Sequence, residues 1–255
     1  MATPRAVQLK PNVLELAAEV FVKGFGLTRS FTHPFPGERV GPLWVLHDAP
    51  RKNPLDYRRE EWIATNTDPA EVDRLARAGT RGRFCVCAMV GVDEPDAPIH
   101  AAYKAMGYRL MAGEPVMLHP LKAIPKLKSP ATLQRVLKQD VADALAKAAG
   151  TRQILPKHLS VDAPLRSYVA VIDDEIVGWV RSIVCDAGNW CSNMFVLQKH
   201  RRMGIASALL TKMLEDDRAY GAKRAVLTSS HAGAKLYERV GYRQIGTLLL
   251  FTPKK

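Results

Sequence analysis

The stretch Val196-Leu197-Gln198-Lys199-His200-Arg201-Arg202-Met203-Gly204-Ile205-Ala206-Ser207-Ala208-Leu209-Leu210 decides the fold of this chain. The apolar run Trp190 to Val196 reads as a strand, the basic segment after it as a short loop, and Gly204 as the opening of an amphipathic helix. Such a loop gathers backbone N–H groups and the positive end of a helix dipole around one point, which makes a phosphate cradle. Arg201 and Arg202 strengthen it. Gly204 lets the chain approach an anion with no Cβ in the way, and Ala206 keeps the first helical turn thin. A basic turn with no ligand would have the same six-residue pattern, so the neighbouring segments carry the decision.

Beyond the loop, Ile205, Leu209 and Met213 recur at helical spacing with Ala208 beside them, and Lys212, Glu215 and Asp216 cover the outer side. Gly221 ends that helix. Ala225 to Thr228 reads as a buried strand, Ser229-Ser230 as a turn or N-cap, and Ala234 to Tyr242 as a helix closed by Gly241. A final strand runs from Thr247 to Thr252. Upstream, Tyr168 to Ile172, the turn Asp173-Asp174-Glu175, and Ile176 to Val180 form a hairpin signature.

The pattern Arg-x-x-Gly-x-Ala after a strand, followed by helix, strand, the helix "LYERVGY" and a last strand, resembles the GNAT superfamily of acyl-CoA-dependent N-acyltransferases. The likeness covers roughly the last ninety residues. It implies an α/β (α+β) fold: a mixed, mostly antiparallel sheet flanked by helices. It also implies acetyl-CoA as cosubstrate and no metal. The strand around Met194, Phe195 and Val196 is expected to splay from its neighbour and pair with the pantetheine arm. Arg201, Arg202, Met203, Gly204, Ile205, Ala206 and Ser207 are expected to hold the pyrophosphate. The Val196 N–H would then face the thioester oxygen. Tyr237 occupies the family's general-acid position, and a phenol is protonated at neutral pH, as a proton donor must be. Some members carry a Glu on the cofactor strand, whereas Trp190 to Val196 offers Cys191, Ser192 and Asn193. The base is therefore unassigned, with a water relay, His119 or Glu114 as the options.

The first half contains an echo of the second. Ala101 to Arg109 lines up with Lys235 to Arg243 through a shared Tyr-x-x-x-Gly-Tyr, and each is followed by an apolar segment ending near a proline, Pro120 or Pro253. Phe84 to Val90 would match the Ala225 to Thr228 strand, and Asp68 to Ala78 the preceding helix, ended by Gly79. The expected layout is duplicated: residues 1–120 a degenerate GNAT-like unit, 121–130 a Lys- and Pro-rich linker, and 131–255 the working domain. Ile63 to Thr67 holds no basic residue and no cofactor loop. Mycothiol synthases resemble this pairing of one working and one impaired unit. After the linker, Leu133, Val136, Leu137, Val141, Leu145 and Ala148 predict a long helix stopped by Gly150.

Composition is that of a globular chain, with 47% hydrophobic residues. No apolar run reaches the roughly 18 residues of a membrane helix, and Val13 to Phe21, with two acids, reads as an amphipathic helix rather than a signal peptide. The four cysteines lack metal spacing, and Cys85 and Cys87 share one side of a strand, so reduced cysteines and a cytoplasmic location are expected. The net charge is +12, with eleven Lys and Arg against four acids from Arg201 onward. Nucleic-acid binding ranks below attraction of a phosphorylated cofactor, because part of the excess sits in the cradle itself. Lys254 and Lys255 read as a solvated basic end. The expected activity is acetyl transfer from acetyl-CoA to a small-molecule primary amine by direct attack through a tetrahedral intermediate. A peptide or protein N-terminus as acceptor, or a non-enzymatic acyl-CoA-binding module, are the alternatives. Acceptor, acyl preference and oligomeric state are not readable.

Overall fold

Two adjacent aspartates, Asp173 and Asp174, take left-handed backbone angles (φ 48° and 62°). This is the geometry that lets a two-residue loop follow the twist of a hairpin. They join β7 (Leu165–Ile172) to β8 (Glu175–Cys185), as the sequence predicts. The computed structural model describes residues 13–29, 31 and 33–254. The first twelve residues of the 1–120 unit, and Lys255, lie outside them.

The N-terminal half contains α1 (Val13–Arg29), β1 (Gly37–Val40), β2 (Leu43–Leu46), β3 (Glu60–Thr65), α2 (Pro69–Gly79), β4 (Phe84–Gly91), α3 (Ala97–Ala105) and β5 (Tyr108–His119). The C-terminal half continues with β6 (Thr132–Arg135), α4 (Gln139–Ala149), β7, β8, β9 (Gly188–Val196), α5 (Ile205–Ala219), β10 (Ala225–Thr228), α6 (His231–Arg239) and β11 (Arg243–Pro253). Strand, helix, strand, helix, strand recurs as β3-α2-β4-α3-β5 and β9-α5-β10-α6-β11. The Gly107 and Gly241 turns match, both with positive φ (82° and 102°).

All strands join one mixed sheet in the order β1-β2-β3-β4-β11-β5-β10-β9-β8-β7-β6. Among the described residues, β3–β4 and β9–β10 are parallel and every other neighbouring pair is antiparallel. The last strand of each half crosses to the other. β5 lies against β10, and β11 lies against β4, so the sheet runs unbroken across the boundary at residues 121–130. One core, including Phe21, Val116, Val169, Trp190 and Leu248, draws on both halves.

The long helix expected after the linker is shorter than the periodicity predicts. Thr132–Arg135 instead forms the edge strand β6, paired with Tyr168 to Val171. Its half-exposed alternation serves a strand edge as well as a helix face, and the unpaired edge of β7 decides. The helix proper begins at Gln139 and stops, as expected, at left-handed Gly150. Gly79, expected to end α2, is its last residue, and Thr80 forms the cap.

Candidate active site

The site begins where two parallel strands part. β10 pairs with β9 at two positions only, Ala225 with Asn189 and Val226 with Trp190. From Cys191 onward β9 continues without β10 beside it, leaving a notch in the sheet. A bulge marks the same place. The register against β8 shifts between Trp179–Phe195 and Arg181–Ser192, and Asn193 takes φ 55°. Leu197 N–H donates to Val177 O (2.9 Å), which makes Gly178–Val196 a non-bonded pair. The Val196 N–H therefore faces away from β8, into the notch.

The loop beyond β9 carries the expected residues to the mouth of that notch. Phe195 is exposed and stacks on Trp179 at 4.7 Å between centroids. Arg201, Arg202, Met203 and Gly204 are exposed, whereas Ile205 is buried in the core and can offer only its backbone. Arg201 folds back, its Nε donating to Val196 O at 3.0 Å. Arg202 and Gly204 both have positive φ (65° and 80°), and Gly204 is the N-cap of α5 with no side chain to cap its amides. The first-turn N–H groups of α5 thus face outward uncapped, beside two arginines, as an anion site requires. A Cβ at Gly204 would come within 3.4 Å of Lys128 O. Residues 121–130 therefore pass close to this loop.

Tyr237, on α6, packs with the cluster that includes Cys191 and Val196, its ring edge-on to Tyr242 at 5.7 Å. Burial pushes its phenol pKa up, with a further contribution from the Cys191 thiol, so it keeps its proton. On the opposite face of the sheet, a cleft of about 690 Å³ opens at the notch, lined there by Cys191, Ser192, Asn193 and Thr228. The sequence-based candidates for the base separate here. His119 is fully buried away from the cleft, its ring nitrogens engaged with Val240 O (3.0 Å) and Leu121 N (2.9 Å), and burial lowers its pKa. Glu114 lines the cleft. It stands on β5 two residues before Val116, the partner of Thr228 at the end of β10.

Two residues that sequence reasoning did not single out share the cleft. Glu61 on β3 is 4% exposed, and burial raises its pKa against the weaker opposing pull of Arg29, 3.7 Å away. Arg181 on β8 is 7% exposed. Neither has a local motif. Only the sheet order brings strands β3, β5 and β8 to one cavity.

The comparisons with known proteins agree with this geometry. The family description "Acetyltransferase (GNAT) domain" matches residues 163–244. No curated protein matches the chain. Among solved structures, a GCN5-related N-acetyltransferase from Kribbella flavida is similar with a TM-score of 0.62 and 20% identity, covering 94% of this chain and 96% of that one. A GCN5-related N-acetyltransferase from Sphaerobacter thermophilus follows at 0.56 and 15% identity, covering 82% and 76%. A tandem GNAT protein from the clavulanic acid biosynthesis pathway reaches 0.52 and 14% identity, covering 85% and 79%. At these identities the structures share the fold. The match to the acetyltransferase (GNAT) domain description thus falls in the C-terminal half, on the strands and helices that build the notch.

Proposed function

We propose that the protein transfers an acetyl group from acetyl-CoA to the amine of a small molecule, with the cofactor seated on the C-terminal half alone. The observation that carries this reading is the conjunction at one place of a split parallel pair, an uncapped helix N-terminus and two arginines. In this account the outward amides of α5, with Arg201 and Arg202 beside them, hold the pyrophosphate. The free edge of β9 from Met194 to Val196 pairs with the pantetheine arm, and the Val196 N–H donates to the thioester oxygen as it gains charge.

The acceptor amine, deprotonated from its ammonium form, approaches from the cleft on the other face. Its nitrogen bonds to the acetyl carbonyl carbon, and the C–S bond breaks. Glu114, beside the notch, takes the proton the nitrogen sheds, and Tyr237 protonates the departing thiolate. The N-terminal half is read as a second GNAT-like unit, residues 1–120, that walls the acceptor cleft through Glu61 and Glu114 and binds no cofactor. A chain that binds acetyl-CoA and transfers nothing is the competing account.

Release of free CoA thiol during incubation with acetyl-CoA and a panel of amines tests the reading. Amine-dependent release, slowed in Tyr237→Phe at unchanged acetyl-CoA affinity, is the expected result. Binding without release for any amine would leave the non-enzymatic module as the account.

A further inference from the structure

Arg181 is a buried cation with no counter-ion. Both hydrogen bonds from its Nη2 go to neutral oxygens of Gln153, the backbone carbonyl at 2.7 Å and Oε1 at 3.1 Å. Its Nε, also buried, meets no hydrogen-bond partner, and no carboxylate pairs with it among the described residues. Burial lowers its pKa to about 10, which still leaves it charged at neutral pH. An unpaired buried charge costs several kcal/mol, and this one borders the cleft. Next to it on β9, Ser192 faces the same cavity, and its Oγ is likewise buried without a partner. Exposed Arg152, next to Gln153, adds a cation at the rim on this side.

The opposite wall carries carboxylates interleaved with arginines. Glu61 and Glu114 line the cleft from β3 and β5, with Arg29 3.7 Å from Glu61 and Arg59 also favouring its charged form. Between the poles the walls are apolar. Phe21 stacks on Phe25 (5.3 Å) and meets Trp190 edge-on (5.5 Å), while Leu248 and Leu250 line the cavity from β11.

We infer that the acceptor is zwitterionic: an amine that also carries a carboxylate, on an apolar or aromatic body, as in an amino acid. Its carboxylate pairs with Arg181 and Ser192, its amine lies toward Glu114, and its side chain rests on the aromatic wall. A ligand of this kind pairs with Arg181 and Glu114 at once, whereas a simple amine leaves Arg181 unpaired. The inference rests on the transferase reading above and narrows its substrate.

The test measures acetyl-CoA-dependent thiol release by the full chain with the common L-amino acids and, for each, its carboxamide and its decarboxylated amine. An accepted amino acid is expected to exceed its own amide in kcat/KM by more than about 30-fold, because a site built to bind one polar group rejects the analogue lacking it. Arg181→Met should erase that gap by slowing only the carboxylate member. Arg152→Ala, at an exposed position, should narrow the gap several-fold and keeps the test open if Arg181→Met does not fold. Amides or decarboxylated amines used as well as the amino acids would overturn the inference. So would acetyl-CoA binding with no transfer to any member of the three sets. Failure to bind acetyl-CoA would overturn the transferase reading itself, and this inference with it.

Discussion

The two parallel strand pairs of the sheet are built on the same plan and finished differently. β3 and β4 pair at six consecutive positions, from Glu60–Phe84 to Thr65–Met89, so no notch forms between them. β9 and β10 pair at two and then part. At the helix that follows each first strand, the N-terminus is also treated in opposite ways. Asp68 caps α2 with its own carboxylate, accepting from the N–H groups of Ala70 (2.9 Å) and Glu71 (3.3 Å). Gly204 leaves α5 uncapped. The chain itself satisfies the first helix end and leaves the second without a side-chain cap. The matching tyrosines differ in the same sense. Tyr103 is 1% exposed and stacks on Phe251 at 4.5 Å, whereas Tyr237 is only partly buried. A cleft of about 410 Å³ persists beside β3 and β4, but Asp68 and Glu94 line it where a phosphate site would need cations. At these matching positions one half satisfies its polar groups internally, and the other leaves them exposed.

The largest effect that sharpens this contrast is expected at Gly204. Gly204→Glu puts a Cβ on a left-handed backbone and an acid in the cradle, and should weaken acetyl-CoA binding by more than about 100-fold, roughly 2.7 kcal/mol. The parallel change Asn66→Glu, also at a left-handed residue (φ 49°), should leave the affinity unchanged. Equal losses would break the comparison. Glu114→Gln should lower kcat by about 10²–10⁴-fold, the usual range for a lost general base, with the acetyl-CoA Kd untouched. An unchanged kcat in the thiol-release assay would return the base to a water relay.

Away from the cleft, effects in the N-terminal half should appear in stability alone. Asp48 is fully buried and held by Arg58 and Arg51, with Arg51 Nε at 3.0 Å. Burial by itself would raise its pKa, but the bonds from Arg58 and then Arg51 prevail and hold it at about 2. Its folded-state pKa lies below the unfolded value of 3.8, so its contribution is fully present above about pH 4 and drains as pH falls toward 2. Asp48→Asn should cost about 3–5 kcal/mol at neutral pH, as expected for breaking a buried ion pair, and should flatten the pH dependence of the urea midpoint between pH 4 and 2. A variant as acid-sensitive as the parent would remove Asp48 from that role. Tyr237→Phe should slow kcat by about 10²-fold, the lower end for a lost general acid, while Tyr103→Phe leaves kcat alone. The smallest effect belongs to Asp68→Ala. Losing the cap should cost about 1 kcal/mol without creating a second acetyl-CoA site.

What the sequence made legible was local. The Asp173-Asp174 turn, the Gly204 opening of α5, the Ser230 cap of α6 and the Gly241 stop depend on a few adjacent residues, and each stands where the sequence puts it. Thr132–Arg135 was ambiguous because four residues fit either period, and pairing with β7 decides. The exchange of β5 and β11 has no local signature at all. It is a choice between neighbours made when the sheet closes. Glu61 and Arg181 escaped notice for the same reason. Each is an ordinary charged residue in a strand until the sheet brings it to the cleft shared with Glu114.

The central claim is one cofactor site per chain, at the β9–β10 notch. A calorimetric titration of the full chain with acetyl-CoA, beside an Arg201→Ala, Gly204→Glu double variant, tests it most directly. One site per chain, lost in the variant, is the predicted result. Two sites per chain, or binding that survives in the variant, would contradict it.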